Sequence, residues 1–253
     1  MAIVTITSDW SKQDYYAAAL EGSLLGTASV YEISHNIQPF DVRMGMYVLK
    51  QAYKKFPAGS IHILAIQAQA TDQMPMSVAL YKGHYFITVN DGRLSLLFDG
   101  HPDWIRAVVH KEGTFSELEM YVKGVKAIVD GRLEDRTLPT EMRTETEQVP
   151  VAENDYILGQ VVYIDSYGNA ITNITKTLFE KIGKGRDFAV FLQGPYTRIE
   201  KISTHYTAVR PGQLVAVFNS AENLELAICM GNLALLESLN VYDQIHIQFY
   251  NHG

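Results

Sequence analysis

The 253-residue chain has a single cysteine, Cys229. One thiol cannot form an internal disulfide, and such usage fits a reducing compartment. There is no long run of Lys and Arg, and 28 acidic residues outweigh 21 basic ones for a net charge of −7. Nucleic acid and anionic membrane surfaces both require clustered cations, so neither is expected as a partner. No apolar stretch approaches the ~20 residues that cross a bilayer. The first residues, MAIVTITSDW, read as a strand rather than a secretory signal. These absences together predict a cytoplasmic protein. Metal-type His/Cys spacing, a Gly-x-Ser-x-Gly elbow and a glycine-rich phosphate loop are missing too. Their absence argues against a metalloenzyme, a serine hydrolase and a site built for a phosphorylated nucleotide.

What is present is an alternation of strands and helices. Ala2–Thr7, Val30–Ile33 and Ser60–Ile66 read as strands, and Asp14–Leu25 and Asp41–Phe56 as helices, the second with Asp41 as its N-cap. Val78–Tyr81 and Tyr85–Val89 form a hairpin around Lys82-Gly83-His84, and Ser116–Val129 forms a helix that Gly131 ends. This order predicts an α/β unit over residues 1–135, a mostly parallel sheet with flanking helices. Residues 136–155 are polar and aperiodic and read as a linker. Residues 156–253 are strand-rich, with strands at Ile157–Ile164, Phe188–Leu192, Thr197–Ile202, Leu214–Phe218, Leu224–Ile228 and Gln244–Phe249. That pattern predicts a β-barrel-like carboxyl-terminal domain.

Four polar stretches carry candidate chemistry, each open to a purely structural explanation. In SDWSKQD, Asp9 leaves a strand at its carboxyl end, where a carboxylate can accept hydrogen bonds from a ribose diol. Asp9 and Asp14 are equally good helix caps. In HNIQPFDVRMG, Phe40 can line the mouth of a site or act as a hydrophobic staple. In GQVVYIDSYGNAITNI, Asp165 can pair with an ammonium and Asn169 can read an adenine edge, but the same residues make a good β-turn. In VFNSAENLELA, Ser220 can donate to a carboxylate or merely belong to a turn.

Taken in order, SDW…D, VYEISHNIQPFDVRMGMYVLKQAYKKFPAGSIHI, VNDG, GQVVYIDSYGNAITNI and VFNSAENLELAICMGN resemble the S-adenosylmethionine (SAM) hydroxide adenosyltransferases, relatives of the SAM-dependent fluorinase and chlorinase. The resemblance spans nearly the whole chain. It implies an α/β first domain, a β-barrel-like second domain and a homotrimer whose sites lie between subunits. It implies SAM or adenosine as ligand, with SAM as substrate and no cofactor. The matching positions are Asp9 for the ribose hydroxyls, Asp14 and Tyr16 at the methionine end, and Phe40 as a lining aromatic. Asp165 faces the ammonium, Asn169 the adenine, and Ser220 the methionine carboxylate. The implied reaction is nucleophilic attack at the ribose 5′ carbon, displacing methionine.

The loop after the third strand departs from that pattern. Where hydroxide-forming members carry an Asp and an Arg in a D-P-G-V-G-T-x-R loop, this chain has Gln67 and Met74 or Pro75. Their His-Gly-Arg-Asp is replaced by Ser116-Glu117-Leu118-Glu119, and Asn90-Asp91-Gly92 reverses their Asp-Asn-Gly. No catalytic residue is therefore assigned; Asp72, Glu117, Glu119 and His110 are the available bases. Three readings follow: an enzyme cleaving SAM with water or another nucleophile, a SAM- or adenosine-binding protein without turnover, and a trimeric scaffold that binds neither.

Overall fold

The structure, a computed structural model, describes residues 1–109, 116–146, 148–192 and 197–250. The chain divides into two compact units, Met1–Glu147 and Gln148–Gly253.

In the first unit, β1 (Ala2–Ser8) leads to α1 (Tyr15–Leu24), β2 (Ala28–Ser34) and α2 (Val42–Ala52), which continues as a 3₁₀ turn over Tyr53–Lys55. Next come β3 (Ile61–Ala65) and the hairpin of β4 (Met76–Tyr81) and β5 (His84–Val89). Short α3 (Arg93–Leu97), β6 (Trp104–Val108), α4 (Ser116–Val129), α5 (Leu133–Arg136) and β7 (Thr137–Pro139) complete it. The sheet order is β2-β1-β3-β5-β4-β6-β7. The first four strands run parallel, and the remaining pairings are antiparallel. The hairpin thus extends the parallel half of the sheet with antiparallel strands.

β3 is buried along its whole length because helices cover both of its faces. Its side chains divide with the two-residue period of a strand. Ile61, Ile63 and Ala65 pack with Leu20 and Leu24 of α1 and Met120, Tyr121 and Val125 of α4. Leu64 and Ile66 pack with Met46 and Leu49 of α2 and Leu94 and Leu97 of α3. Gly45 lets α2 sit that close, since a Cβ there would lie 1.8 Å from Ile66 Cδ1. Asp41 caps α2 as expected, its carboxylate accepting from Met44 N at 2.9 Å. The hairpin turns on Lys82 and Gly83 with φ of 48° and 79°, the double left-handed geometry of a type I′ turn.

The polar segment expected as a linker has structure at both ends. Thr137–Pro139 pairs with β6, and Val151–Ala152 pairs with the second unit's sheet. Between them, Asn90 donates from Nδ2 to Glu141 O at 2.8 Å and accepts from Arg143 N at 3.0 Å. Side-chain bonds, which leave no periodicity in a sequence, hold this stretch.

The second unit comprises β8 (Val151–Ala152), β9 (Tyr156–Ile164), β10 (Ala170–Thr175), α6 (Lys176–Gly183), β11 (Asp187–Phe191), β12 (Arg198–Ile199), β13 (Ile202–Ser203), β14 (Leu214–Phe218), β15 (Asn223–Ile228), α7 (Leu233–Leu236) and β16 (Gln244–Tyr250). Its nine strands among the described residues make one nearly closed, barrel-like sheet ordered β12-β11-β16-β9-β10-β15-β14-β13, with β8 added on β9. The strand expected over Thr197–Ile202 is split into β12 and β13, which lie at opposite ends of that order. Inward residues such as Ile157, Val190, Leu226 and Ile247 fill the interior. Among the described residues, no helix is long and apolar enough to cross a membrane.

Candidate functional site

Four chain segments leave the parallel strands of the first unit at their carboxyl ends, the usual ligand side of such a sheet. They carry His35 after β2, Asp9 after β1, Ile66-Gln67 after β3 and Asn90-Asp91 after β5. The structure joins three of them through Asp9. Its Oδ2 accepts from Phe40 N at 3.0 Å and from Gln67 N at 3.2 Å. Its Oδ1 takes no hydrogen bond among the described residues. Phe40 and Gln67 have φ of 68° and 43°. Such left-handed backbone costs non-glycine residues free energy and concentrates at functional sites. Asp9 thus ties two strained loops with one oxygen, and its other oxygen makes no hydrogen bond among the described residues.

Beneath Asp9, Ser8 and His35 are buried, with Ser8 Oγ 2.6 Å from His35 Nδ1 and accepting from Trp10 N at 3.2 Å. Among the described residues His35 Nε2 has no hydrogen-bond partner, and it lies 3.5 Å from Glu21 Oε1. Trp10 packs edge-on against Tyr121, with ring centroids 6.2 Å apart. The Tyr121 hydroxyl donates to Leu64 O at 2.9 Å, which further fixes β3 near its exit. Burial raises the Tyr121 phenol; Arg93 opposes this, while Asp9, Glu117 and Asp91 add to it.

Among the described residues Arg93 is the largest fully buried side chain. It donates from Nε to Asp91 Oδ1 at 2.8 Å and from Nη2 to Asp91 Oδ2 at 2.6 Å, a bidentate pair. Nη1 also donates to Ile66 O at 2.6 Å, and Nη2 to Gln67 O at 3.4 Å. Desolvation raises the Asp91 carboxyl, but hydrogen bonding and charge from Arg93 outweigh it, leaving a lowered pKa.

The other first-unit positions differ in kind. Asp14 occupies the N-cap position of α1 but makes no capping bond with its side chain, so the simple helix-cap explanation fails for it. Tyr16 is half-buried, with its ring 6.1 Å from Trp10 and 4.3 Å from Tyr15; bonding to Tyr15 raises its phenol. Phe40 is 73% exposed, and the helix position a staple would use is Gly45, so it is no staple. In the β3 exit loop, Gln67 and Asp72 are exposed. Met74 instead packs on the core, its N–H closing a turn onto Thr71 O at 3.1 Å. Glu117 is half-buried and Glu119 exposed; His110 lies outside the described residues, as does the Ser116 side chain.

In the second unit, Asp165 and Asn169 meet in the β9–β10 turn. Asp165 Oδ1 accepts from Tyr167 N and Asn169 N, each at 2.9 Å, and Oδ2 accepts from Asn169 Nδ2 at 3.0 Å. The turn explanation therefore holds for Asp165, while Asn169 keeps its amide oxygen for another donor. Ser220 is exposed on a different turn, between β14 and β15. Asn219 builds that turn, its Oδ1 accepting from Ala221 N at 3.0 Å and Asn223 N at 3.2 Å. Its Nδ2 donates to Glu225 Oε2 at 3.1 Å, and the Tyr206 hydroxyl donates to Glu225 Oε1 at 2.6 Å. Burial, the bond to Glu225, and the charges of Glu225 and Asp165 all raise the Tyr206 phenol, so Tyr206 lies within the electrostatic reach of the first turn. Sequence reasoning missed Arg93, Tyr206 and Glu225. Each takes its meaning from a partner or backbone atom distant in the chain.

Fold and site define a two-unit protein with a fixed carboxylate at the mouth of a parallel sheet, followed by a barrel whose turns present amides and hydroxyls. Comparison with known proteins narrows this class. The SAM hydroxide adenosyltransferase N-terminal domain matches residues 4–134, and the C-terminal domain of the same family matches 159–246. The chain belongs to the SAM hydroxide adenosyltransferase family. It is 25% identical to the (R)-S-adenosyl-L-methionine hydrolase of Methanocaldococcus jannaschii, over 97% of this chain and 95% of the relative. It is 24% identical to the protein of that name from Salinispora arenicola, over 96% and 97%. An uncharacterized conserved protein from Thermotoga maritima shares the fold, with a TM-score of 0.84 at 22% identity over 97% of this chain and 99% of that one.

Proposed function

We propose that this chain binds SAM and cleaves it at the ribose 5′ carbon, releasing methionine and, with water as nucleophile, adenosine. The observation that carries the reading is Asp9, at the carboxyl end of β1, with Oδ2 saturated by two backbone donors and Oδ1 left for ribose hydroxyls. Membership of the family supports the same ligand. In this reading Asp14 and Tyr16 meet the methionine end, and Phe40 shields the ribose. Asp165 attracts the ammonium, Asn169 holds adenine through its amide, and Ser220 donates to the carboxylate. The working assembly is a homotrimer.

In the reaction, a C5′–O bond forms as the C5′–S bond breaks. The electron pair goes to sulfur, which becomes the neutral thioether of methionine, and the water's proton leaves to a base or to solvent. The sulfonium is already a good leaving group. The protein's contribution is alignment and removal of bulk water, and alignment alone is worth ~7–11 kcal/mol when geometry is right. Of the candidate bases among the described residues, Glu117 is half-buried in the first turn of α4, whereas Asp72 and Glu119 are exposed. Incubation with SAM at high protein concentration, followed by chromatography, tests the reading: adenosine and methionine in equal amounts are expected, and intact SAM would overturn it.

A second reading, binding without turnover, is favoured by Gln67. A neutral amide tops the β3 exit, where the resemblance expects an acid. Calorimetry separates the two: heat on titration with SAM but no adenosine on incubation selects binding alone.

A further inference from the structure

The geometry points to Asp91 and Arg93 as a positioning pair for Asp9, acting through the peptide bond between Ile66 and Gln67; this rests on Asp9 being the ribose-binding carboxylate. The carbonyl of that peptide accepts from Arg93 Nη1 at 2.6 Å, and its N–H donates to Asp9 Oδ2 at 3.2 Å. In a trans peptide these two groups point in opposite directions. A cation therefore sits at the negative end of the peptide dipole and an anion at its positive end, an arrangement in which each hydrogen bond polarises the next.

The pair has no other evident purpose at the surface. Arg93 is 1% exposed, so its charge is of little use to solvent or to a ligand directly. Burying an ion pair brings little net stability, because desolvation offsets attraction. What it does supply is direction. The guanidinium fork fixes two consecutive carbonyls, Ile66 O and Gln67 O, and so holds Gln67 in the left-handed conformation that turns its N–H towards Asp9. Asp91 fixes the fork in turn through two bonds. Gly92 gives this short segment its shape: its φ is +116°, and a Cβ there would meet the Glu145 backbone at 3.1 Å. The motif Asn90-Asp91-Gly92 thereby acquires a use. Asn90 pins the segment from Glu141 to Arg143, and Asp91 governs the β3 exit through Arg93.

Arg93 touches no ligand in this scheme; it sets where Asp9 Oδ1 points and where the Gln67 side chain begins. The test is a ratio rather than an affinity. Wild-type protein and the double variant Asp91→Asn/Arg93→Met, which removes both charges together, are titrated with adenosine and with 2′,3′-dideoxyadenosine. Wild type is expected to prefer adenosine about tenfold or more, the worth of one or two hydrogen bonds to a charged group. In the double variant that ratio is expected to fall towards one, with thermal melts recording stability in parallel. Arg93→Lys, a milder change that keeps the charge but loses the fork, is expected to give an intermediate ratio. A structural role alone would weaken both ligands equally, so a wild-type ratio retained in folded variants overturns the proposal while leaving the Asp9 reading intact. No preference in wild type would overturn both.

Discussion

The Nε2 of His62 lies 3.1 Å from the Nδ1 of His84, and both rings are buried at the end of the sheet opposite Asp9. Thr5 Oγ1 sits 2.7 Å from the other ring nitrogen of His62, so a line of hydrogen bonds crosses three strands. Tyr53 packs edge-on against both rings. Burial, and then the neighbouring His84, hold His62 down to about 3; burial lowers His84 as well. The unfolded chain titrates near pH 6.5 and takes up a proton that the folded protein refuses. Stability is therefore complete above that pH and declines as pH falls from 6.5 towards 3, at up to about 1.4 kcal/mol per pH unit for His62. Thermal melts between pH 7.5 and 4.5 are expected to show this decline, and His62→Gln should flatten it by about one proton. An unchanged slope in the variant would contradict the assignment.

Replacing Asp9 with Ala removes the oxygen proposed to hold the ribose and leaves Phe40 N and Gln67 N without their acceptor. Loss of two charge-assisted hydrogen bonds predicts at least a hundredfold weaker binding of adenosine, about 3 kcal/mol or more. Calorimetric titration measures it directly. Affinity within threefold of wild type would remove Asp9 from the site.

Gly168 has a φ of +80°, and a Cβ there would fall 2.1 Å from Asn232 Oδ1. Gly168→Ala therefore meets both left-handed strain and a collision with the residue that caps α7, a combined cost of about 1–3 kcal/mol. Because this turn presents Asn169, adenosine binding should weaken along with stability. Denaturant titration and calorimetry on the same variant would show both effects; a variant as stable as wild type counts against the strain.

Tyr206→Phe removes one of the two hydrogen bonds to the buried Glu225 carboxylate. Leaving that acceptor short is expected to cost about 1–3 kcal/mol. Adding Glu225→Gln should recover part of the loss, since a neutral amide is less costly to bury. Urea unfolding of the two variants gives the comparison, and a double variant weaker than Tyr206→Phe alone would refute it.

Much of this architecture can be read directly from residue order. The strand over Leu214–Phe218 appears with its expected bounds, and Asp41 caps the helix it precedes. Helix α6 is absent from the sequence reading although Thr175, accepting from Leu178 N at 3.2 Å, is an ordinary N-cap; the strand pattern around it obscured the signal. β6, with Trp104 and Arg106 only half-buried, lacks the alternation that marks a strand. At the site, Asp9 and Phe40 are legible through the family pattern, since each alone fits a helix cap or a staple equally well. Arg93 is not, since a buried arginine resembles a surface one until the backbone 26 residues away closes over it. The mostly parallel expectation describes the half of the sheet that carries Asp9, and the hairpin's antiparallel extension follows from its two-residue turn.

The barrel-like sheet begins and ends with β12 and β13, and only Glu200 and Lys201 separate those two strands in the chain. The seam of the cylinder is thus bridged by the shortest connection available, as a clasp joins the two ends of one band. Edge strands left apart invite pairing with other chains, and this link keeps both edges from drifting open. The same economy gives the second unit one weak point. A single cut after Lys201 would free both rims of the band at once, whereas a cut in a loop joining neighbouring strands would leave their pairing in place.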